Sequence, residues 1–241
     1  MHFDPVLETI VTRLESRATL TDDDRSAMRA LAYTRREVET SSYLVREGAP
    51  TPRCTFLLSG FCYRQKLTTE GARQIVSIEI PGHFIDLQHL FLSESDHNVQ
   101  ALTRGSVAEI DSAALRKLAL TRPAIGTALW TEALISASIS REWIVNVGRR
   151  DAHSRVGHLL CELAVRLHIT TGANERHYDL PMTQEQLGDA VGLTPVHVNR
   201  VLRALTQRGL ISRDRRQIKI LNWDALRDAS DFNPRYLHLS S

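Results

Sequence analysis

Between Pro195 and Ile220 the chain carries seven basic residues, Arg200, Arg203, Arg208, Arg213, Arg215, Arg216 and Lys219, against one acid, Asp214. Guanidinium groups at that density are suited to a polyanion, because their forked donors match phosphate oxygens and the guanine edge. The surplus is local. The 241 residues hold 30 basic and 28 acidic side chains, net +2, and residues 1–150 balance to zero, which excludes a polybasic coat. Patterns for catalysis are missing: there is no Gly-rich phosphate loop, no nucleophile elbow and no histidine pair at metal-ligand spacing. His153 and His158 are five apart and fall on different helical faces. An enzyme is not expected.

The three cysteines, Cys54, Cys62 and Cys161, are odd in number and widely spaced, which predicts reduced, buried thiols in a cytoplasm. Met1 to Leu20 contains acids and no continuous apolar run, and no later stretch is long enough to span a membrane. A soluble cytoplasmic protein with no membrane partner is expected.

The basic cluster needs elements to hold it. Thr183 precedes Gln184-Glu185-Gln186 as a capping box, and Leu187, Ala190 and Val191 give that helix its buried side. Gly192 ends it, and Thr194-Pro195 is a second N-cap with proline at the first helical position. Val198, Val201, Leu202 and Leu205 then face inward, leaving Pro195, Val196, His197, Asn199, Arg200 and Arg203 outward. Two capped helices around a tight turn predict a helix-turn-helix whose second helix enters the major groove of DNA. Leu210-Ile211 and Gln217–Ile220 read as strands around the turn Arg213-Asp214-Arg215-Arg216, a basic wing. Val196, His197, Asn199 and Arg200 are the expected base readers. Arg203, Arg213, Arg215, Arg216, Thr183 and Gln184 are expected mainly on phosphates, with Thr194 closing the turn.

Upstream, Asp4-Pro5 and Thr21 open two short helices, and from about Thr34 to Leu118 short β-branched and aromatic segments alternate with turn glycines. This predicts an α+β chain with an N-terminal antiparallel β-roll or sandwich. Pro123 to about Arg149 reads as one long helix, with an apolar stripe of Ile125, Leu129, Ala133, Trp143 and Val147 that Ile135, Ile139 and Ile144 widen. The small residues Ala133, Ser136, Ala137 and Ser140 favour close helix approach, so this helix is expected to pair with a second copy of the chain rather than to be the core helix of one larger domain. Asp151 caps the next helix, expected to end near Thr170–Gly172. The divisions are thus 1–122, a β-roll sensor; 123–150, a dimerisation helix; and 151–241, a winged helix-turn-helix domain.

Gly48, Leu58-Ser59-Gly60, Gly71 and Pro81-Gly82-His83-Phe84-Ile85, followed by the long helix and the winged motif, resemble the Crp/Fnr superfamily of bacterial transcription regulators over nearly the whole chain. The resemblance implies a homodimer on a two-fold-related DNA site, a cyclic-nucleotide-binding-like sensor, and RNA polymerase as a partner. It also marks departures. Leu87 stands where nucleotide-binding members have a ribose-binding glutamate, and Asp96–Ala101 carries no arginine for the phosphate, Arg104 being the nearest basic residue. No cysteine precedes Cys54, so the iron-sulfur cluster of other members has no ligands, and His83, His89 and His97 are the haem-ligand candidates of the sensor. No cofactor is expected. Pro195 and Val196 replace the Arg-Glu pair that commonly opens the recognition helix, so a different target sequence is expected. The alternative reading is an obligate sensor that binds DNA only when loaded with haem or a small organic molecule.

Overall fold

The structure, a computed structural model, describes residues 4–167 and 175–239. The chain packs into two units, one of Met1–Gln65 with Ile78–Ala137, the other of Lys66–Ser77 with Ser138–Leu239.

In the first unit, α1 (Pro5–Glu15) starts on the Asp4 cap, whose carboxylate accepts from Val6 N at 2.9 Å, and α2 (Asp22–Arg29) starts on a Thr21/Asp24 capping box. Two antiparallel sheets follow. One has strand order β1-β7-β3, with β1 Tyr33–Val38, β3 Arg53–Ser59 and β7 Gly105–Asp111. The other has order β2-β6-β4-β5, with β2 Tyr43–Val45, β4 Cys62–Leu67, β5 Arg73–Glu79 and β6 Asn98–Ala101, the end of β4 and most of β5 belonging to the Lys66–Ser77 segment of the second unit. The middle of the first sheet is buried on both faces. Cys54, Phe56, Ala108 and Ile110 meet α1, α2 and the residues Ile125, Ala128 and Leu129, whereas Leu57 and Val107 join Cys62, Ile85 and Val99 in a second core. Successive side chains of a strand point to opposite faces, so a strand with two cores reads as the unbroken apolar run Thr55–Leu58.

The expected β region ran to Leu118, but Ser112–Thr121 is helix α3. Asp111 caps it, its carboxylate accepting from Ala114 N at 2.8 Å. Such a cap is a strong local start signal, and it outweighs the β-branched segments before it.

Helix α4, Pro123–Arg149, is continuous as expected. Its first half packs Ile125, Ala128 and Leu129 into the core, and the buried Glu132 carboxylate is held by Arg13 of α1 at 2.9 Å and by Arg17 just beyond that helix. In the second unit, α5 (Ala152–Arg166) starts on Asp151. Its expected end near Thr170–Gly172 lies outside the described residues. Beyond lie β8 (Arg176–Asp179), the winged motif, α8 (Trp223–Ala229) and a 3-10 turn at Pro234–Leu237. Cys54, Cys62 and Cys161 are all buried, and burial raises each thiol pKa, Cys62 to about 12. No described helix is long and apolar enough to cross a membrane.

Candidate nucleic-acid interface

Helix α6 is Gln184–Val191 and α7 is Pro195–Gln207. The Thr183 hydroxyl accepts from Gln186 N at 3.2 Å, and Gln186 Oε1 accepts from Thr183 N at 2.9 Å, completing the capping box. Gly192 ends α6 in the left-handed region, φ 66°, where a side chain would be strained. Gly188 fixes the closeness of the turn: Leu193 N donates to its carbonyl at 3.0 Å, and a Cβ there would lie 2.4 Å from Leu193 O. Thr194 caps α7 with its hydroxyl 3.3 Å from His197 N.

Val198, Val201, Leu202 and Leu205 are buried, against α5 and α6, as their spacing predicts. The opposite side of α7 is open. Gln184, Pro195, Val196, Asn199, Arg200 and Arg203 line one groove, and Val196 is 81% exposed. His197 is half-buried and Thr183 and Thr194 are exposed. Among the described residues no carboxylate pairs with Arg200, Arg203, Arg213, Arg215 or Arg216, whereas Lys219 is engaged by Glu175 at 2.9 Å. Cations without a carboxylate partner leave their field for an outside anion.

The wing is tighter than the sequence suggested. Strand β9 runs Ile211–Asp214 and β10 runs Gln217–Ile220, so Arg213 and Asp214 are in a strand and only Arg215 and Arg216 turn. Arg215 takes φ 48°, and Arg213 Nε donates to its carbonyl at 3.0 Å, bracing a conformation rare for a side-chain-bearing residue. Strand β8 pairs with the other edge of β10, placing Tyr178 opposite Ile218. A tetrapeptide Arg-His-Tyr-Asp offers too little alternation to be found in the sequence, and only its partner strand makes it one.

The expected seam residues of α4 lie elsewhere than anticipated. Ile125 and Leu129 are buried in the first unit's core. Trp143 is buried in the second unit, its Nε1 donating to the Glu162 carboxylate at 3.0 and 3.2 Å. That carboxylate also accepts from Arg166 at 3.1 Å and Tyr236 OH at 2.8 Å. The Ser136 hydroxyl accepts from Arg64 at 3.3 Å, and a Cβ on Gly192 would meet Val147 at 3.2 Å. Ala133 is half-buried and Ser140 exposed. The apolar residues left in solvent are Trp130, Leu134, Ile144 and Val145. Trp130, Leu134 and Ile144, with Ala137, Arg141 and Gly148, all exposed, repeat at alternating intervals of four and three, the a/d spacing of a helix pair. Phe91 stacks on Trp130 at 5.5 Å.

In the sensor, Leu87 is buried in a 3-10 turn, Leu87–Leu90, and His97 is buried with Nδ1 2.7 Å from Asp96. Burial pushes the His97 pKa down. His89 is buried, and His83 is half-buried with Nδ1 3.4 Å from Ile80 O. Arg104 is exposed and paired with Glu39 at 2.8 Å. One interior cation went unnoticed in the sequence: Arg64 of β4, whose guanidinium reaches Glu79, Ile85 O and Ser136. The signal was there, since Arg64 shares a strand face with the core residue Cys62.

A β-roll of the cyclic-nucleotide-binding type joined by one long helix to a winged helix-turn-helix defines a bacterial-type DNA-binding regulator. The profile of the "Cyclic nucleotide-binding domain" matches residues 35–122, and that of the "Crp-like helix-turn-helix domain" matches residues 154–229. The transcriptional activator protein anr of Pseudomonas aeruginosa is 25% identical over 206 residues, 85% of this chain and 83% of its own length. The nitrogen fixation regulation protein FixK of Rhizobium meliloti is 27% identical over 184 residues, 75% of this chain and 80% of its own. Among solved structures, FixK2 from Bradyrhizobium japonicum superposes with a TM-score of 0.75 at 25% identity, over 82% of this chain and 97% of that one. The chain belongs to the Crp/Fnr superfamily of transcription regulators.

Proposed function

We propose that this chain acts in the cytoplasm as a homodimer on a two-fold-related DNA site, and that RNA polymerase is its further partner. Val196, His197, Asn199 and Arg200 read bases. Thr183, Gln184, Arg203, Arg213, Arg215 and Arg216 hold phosphates, and Thr194 and Pro195 set the entry of α7 into the groove. The observation that carries this reading is the open face of α7, where Val196 stands 81% exposed beside Arg200 and no described carboxylate neutralises the arginine. An exposed apolar side chain at the N-terminal end of α7 suits the methyl group of thymine in the major groove.

Dimerisation uses the outward stripe of α4, from Trp130 through Leu134, Ala137, Arg141 and Ile144 to Gly148. Two copies related by a two-fold then present two α7 helices one DNA turn apart. The sensor takes no cyclic nucleotide. Leu87 offers no acceptor for a ribose, and Arg104 is turned to Glu39 at the surface.

Selection of binding sites from random DNA, followed by footprinting, tests the reading. The expected product is a palindrome with half-sites about one helical turn apart. Arg200→Ala should weaken the selected site by about 1–3 kcal/mol and relax preference at one base position. Selection that enriches no sequence, or equal losses on selected and random DNA, would remove Arg200 from the base readers.

A further inference from the structure

We propose that Arg64 is a built-in substitute for an effector, a cation of the chain's own that fastens the β-roll to α4 and holds the regulator in its DNA-binding state with no small molecule bound. The proposal rests on the reading of the chain as a DNA binder and adds how its sensor is set.

Arg64 reaches three separate parts of the sensor. Its Nε lies 3.1 Å from Glu79 Oε1 on β5, one terminal nitrogen donates to Ile85 O, and the other donates to Ser136 Oγ on α4 at 3.3 Å. Both charged side chains are removed from water, Arg64 at 14% and Glu79 at 7% side-chain exposure. Taking two ions out of water is costly, and a valine at this strand position would avoid that cost. A buried pair is weak evidence for stability, and what this one does is read from what it joins: β5, the Ile85 backbone and α4.

The place is informative. Ile85 is two residues before Leu87, where the family resemblance puts a ribose acceptor, and His97, in the loop where a phosphate-binding arginine would stand, lies within the electrostatic reach of Arg64. The interior that would receive an anionic effector therefore already contains a cation with its own counter-charge. An incoming anion has to compete with the Glu79 carboxylate for the guanidinium. An effector shifts a conformational equilibrium by binding one state better than the other. A tethered guanidinium does the same at a fixed, high effective concentration, and Ser136 is where that preference reaches α4.

The test uses full-length protein, unfolded and refolded in plain buffer to strip any small molecule, with DNA affinity read by fluorescence anisotropy on the selected site. Refolded wild type should bind. Arg64→Ala should bind about tenfold more weakly or worse, and tens of millimolar methylguanidinium should restore most of the loss while leaving wild type unchanged and an equal concentration of sodium chloride ineffective. Arg64→Lys, which cannot reach three partners in a fork, should stay impaired. Should Arg64→Ala fail to fold, Ser136→Ala keeps the Arg64–Glu79 pair and should still lose DNA affinity several-fold. Wild-type affinity in a folded Arg64→Ala or in Ser136→Ala, or no rescue by methylguanidinium, overturns the proposal and leaves the DNA-binding reading intact. Refolded wild type that binds DNA only after a cell extract's small molecules are returned also overturns it, whereas failure to bind DNA under every condition removes the reading beneath it.

Discussion

If two copies pair as proposed, Leu134→Glu should separate them. Leu134 is 64% exposed on the outward face of α4, flanked on the same stripe by Trp130 at 56% and Ile144 at 71%. Burying a whole leucine side chain is worth about 1.5–3 kcal/mol, and with 64% of this one still in water each copy gains about 1–2 kcal/mol on pairing. Two copies give about 2–4 kcal/mol, a factor of roughly 30 to 1,000 in the dimer dissociation constant. Two carboxylates facing across the seam add repulsion. Sedimentation velocity over a concentration series would show the weight-average mass falling to that of a monomer at concentrations where wild type stays paired. The contrasting variant is Trp143→Phe, which should leave the dimer intact and cost about 1–3 kcal/mol of unfolding stability, because the buried Glu162 loses a donor. A Leu134→Glu protein that sediments like wild type, or a Trp143→Phe protein that is stable but monomeric, would refute the assignment of the two faces.

Arg215→Ala should weaken all DNA sequences alike and reduce the slope of log K against log salt by about one, measured by anisotropy titrations; an unchanged slope would take the wing turn off the phosphate list. Gly188→Ala should destabilise the second unit by about 1–3 kcal/mol and abolish specific DNA binding, since its Cβ would meet the Leu193 carbonyl at 2.4 Å, a backbone atom that no rotamer change can move. Thermal melts and a binding titration check this together. His158 should make the fold acid-labile. Burial, with the Arg150 charge behind it, pushes its pKa from 6.5 down to about 3, although Glu142 lies 3.3 Å from Nε2, because Arg150 holds that carboxylate at 2.6 Å. The unfolded chain binds the proton first, so this contribution is complete above about pH 6.5 and fades as pH falls toward about 3. Urea titrations at several pH values should show a flatter dependence across that window in His158→Gln, and an unchanged dependence would assign the lability elsewhere.

The recognition motif was legible because its signals are local. Thr183 with Gln186, Gly192, and Thr194 with Pro195 act within a few residues, and the structure reproduces each cap. Helix α4 was legible in length but not in phase. A helix covered on one side by its own chain, and apolar on the side left open, is hydrophobic nearly all round, so Ile125, Leu129 and Trp143 compete with Trp130, Leu134 and Ile144 for the same stripe. Nothing in the sequence says which set meets its own chain; packing of α1 and α5 decides it. Strand β8 and the reach of Arg64 depend on partners far along the chain, Lys219 and Ile218 for one, Glu79 and Ser136 for the other. Periodicity carries no such information.

The three hidden cysteines have a practical consequence. A thiolate rather than a thiol attacks disulfides and maleimides, and burial holds all three protonated, so chemical modification has to wait for the protein to open. Cys54 and Cys62 belong to the β-roll and Cys161 to helix α5 of the second unit. Each unit therefore carries its own stopwatch. Timed labelling followed by peptide mass mapping reports how often the sensor and the DNA-binding half come apart, separately and in a single sample, with no probe engineered into either.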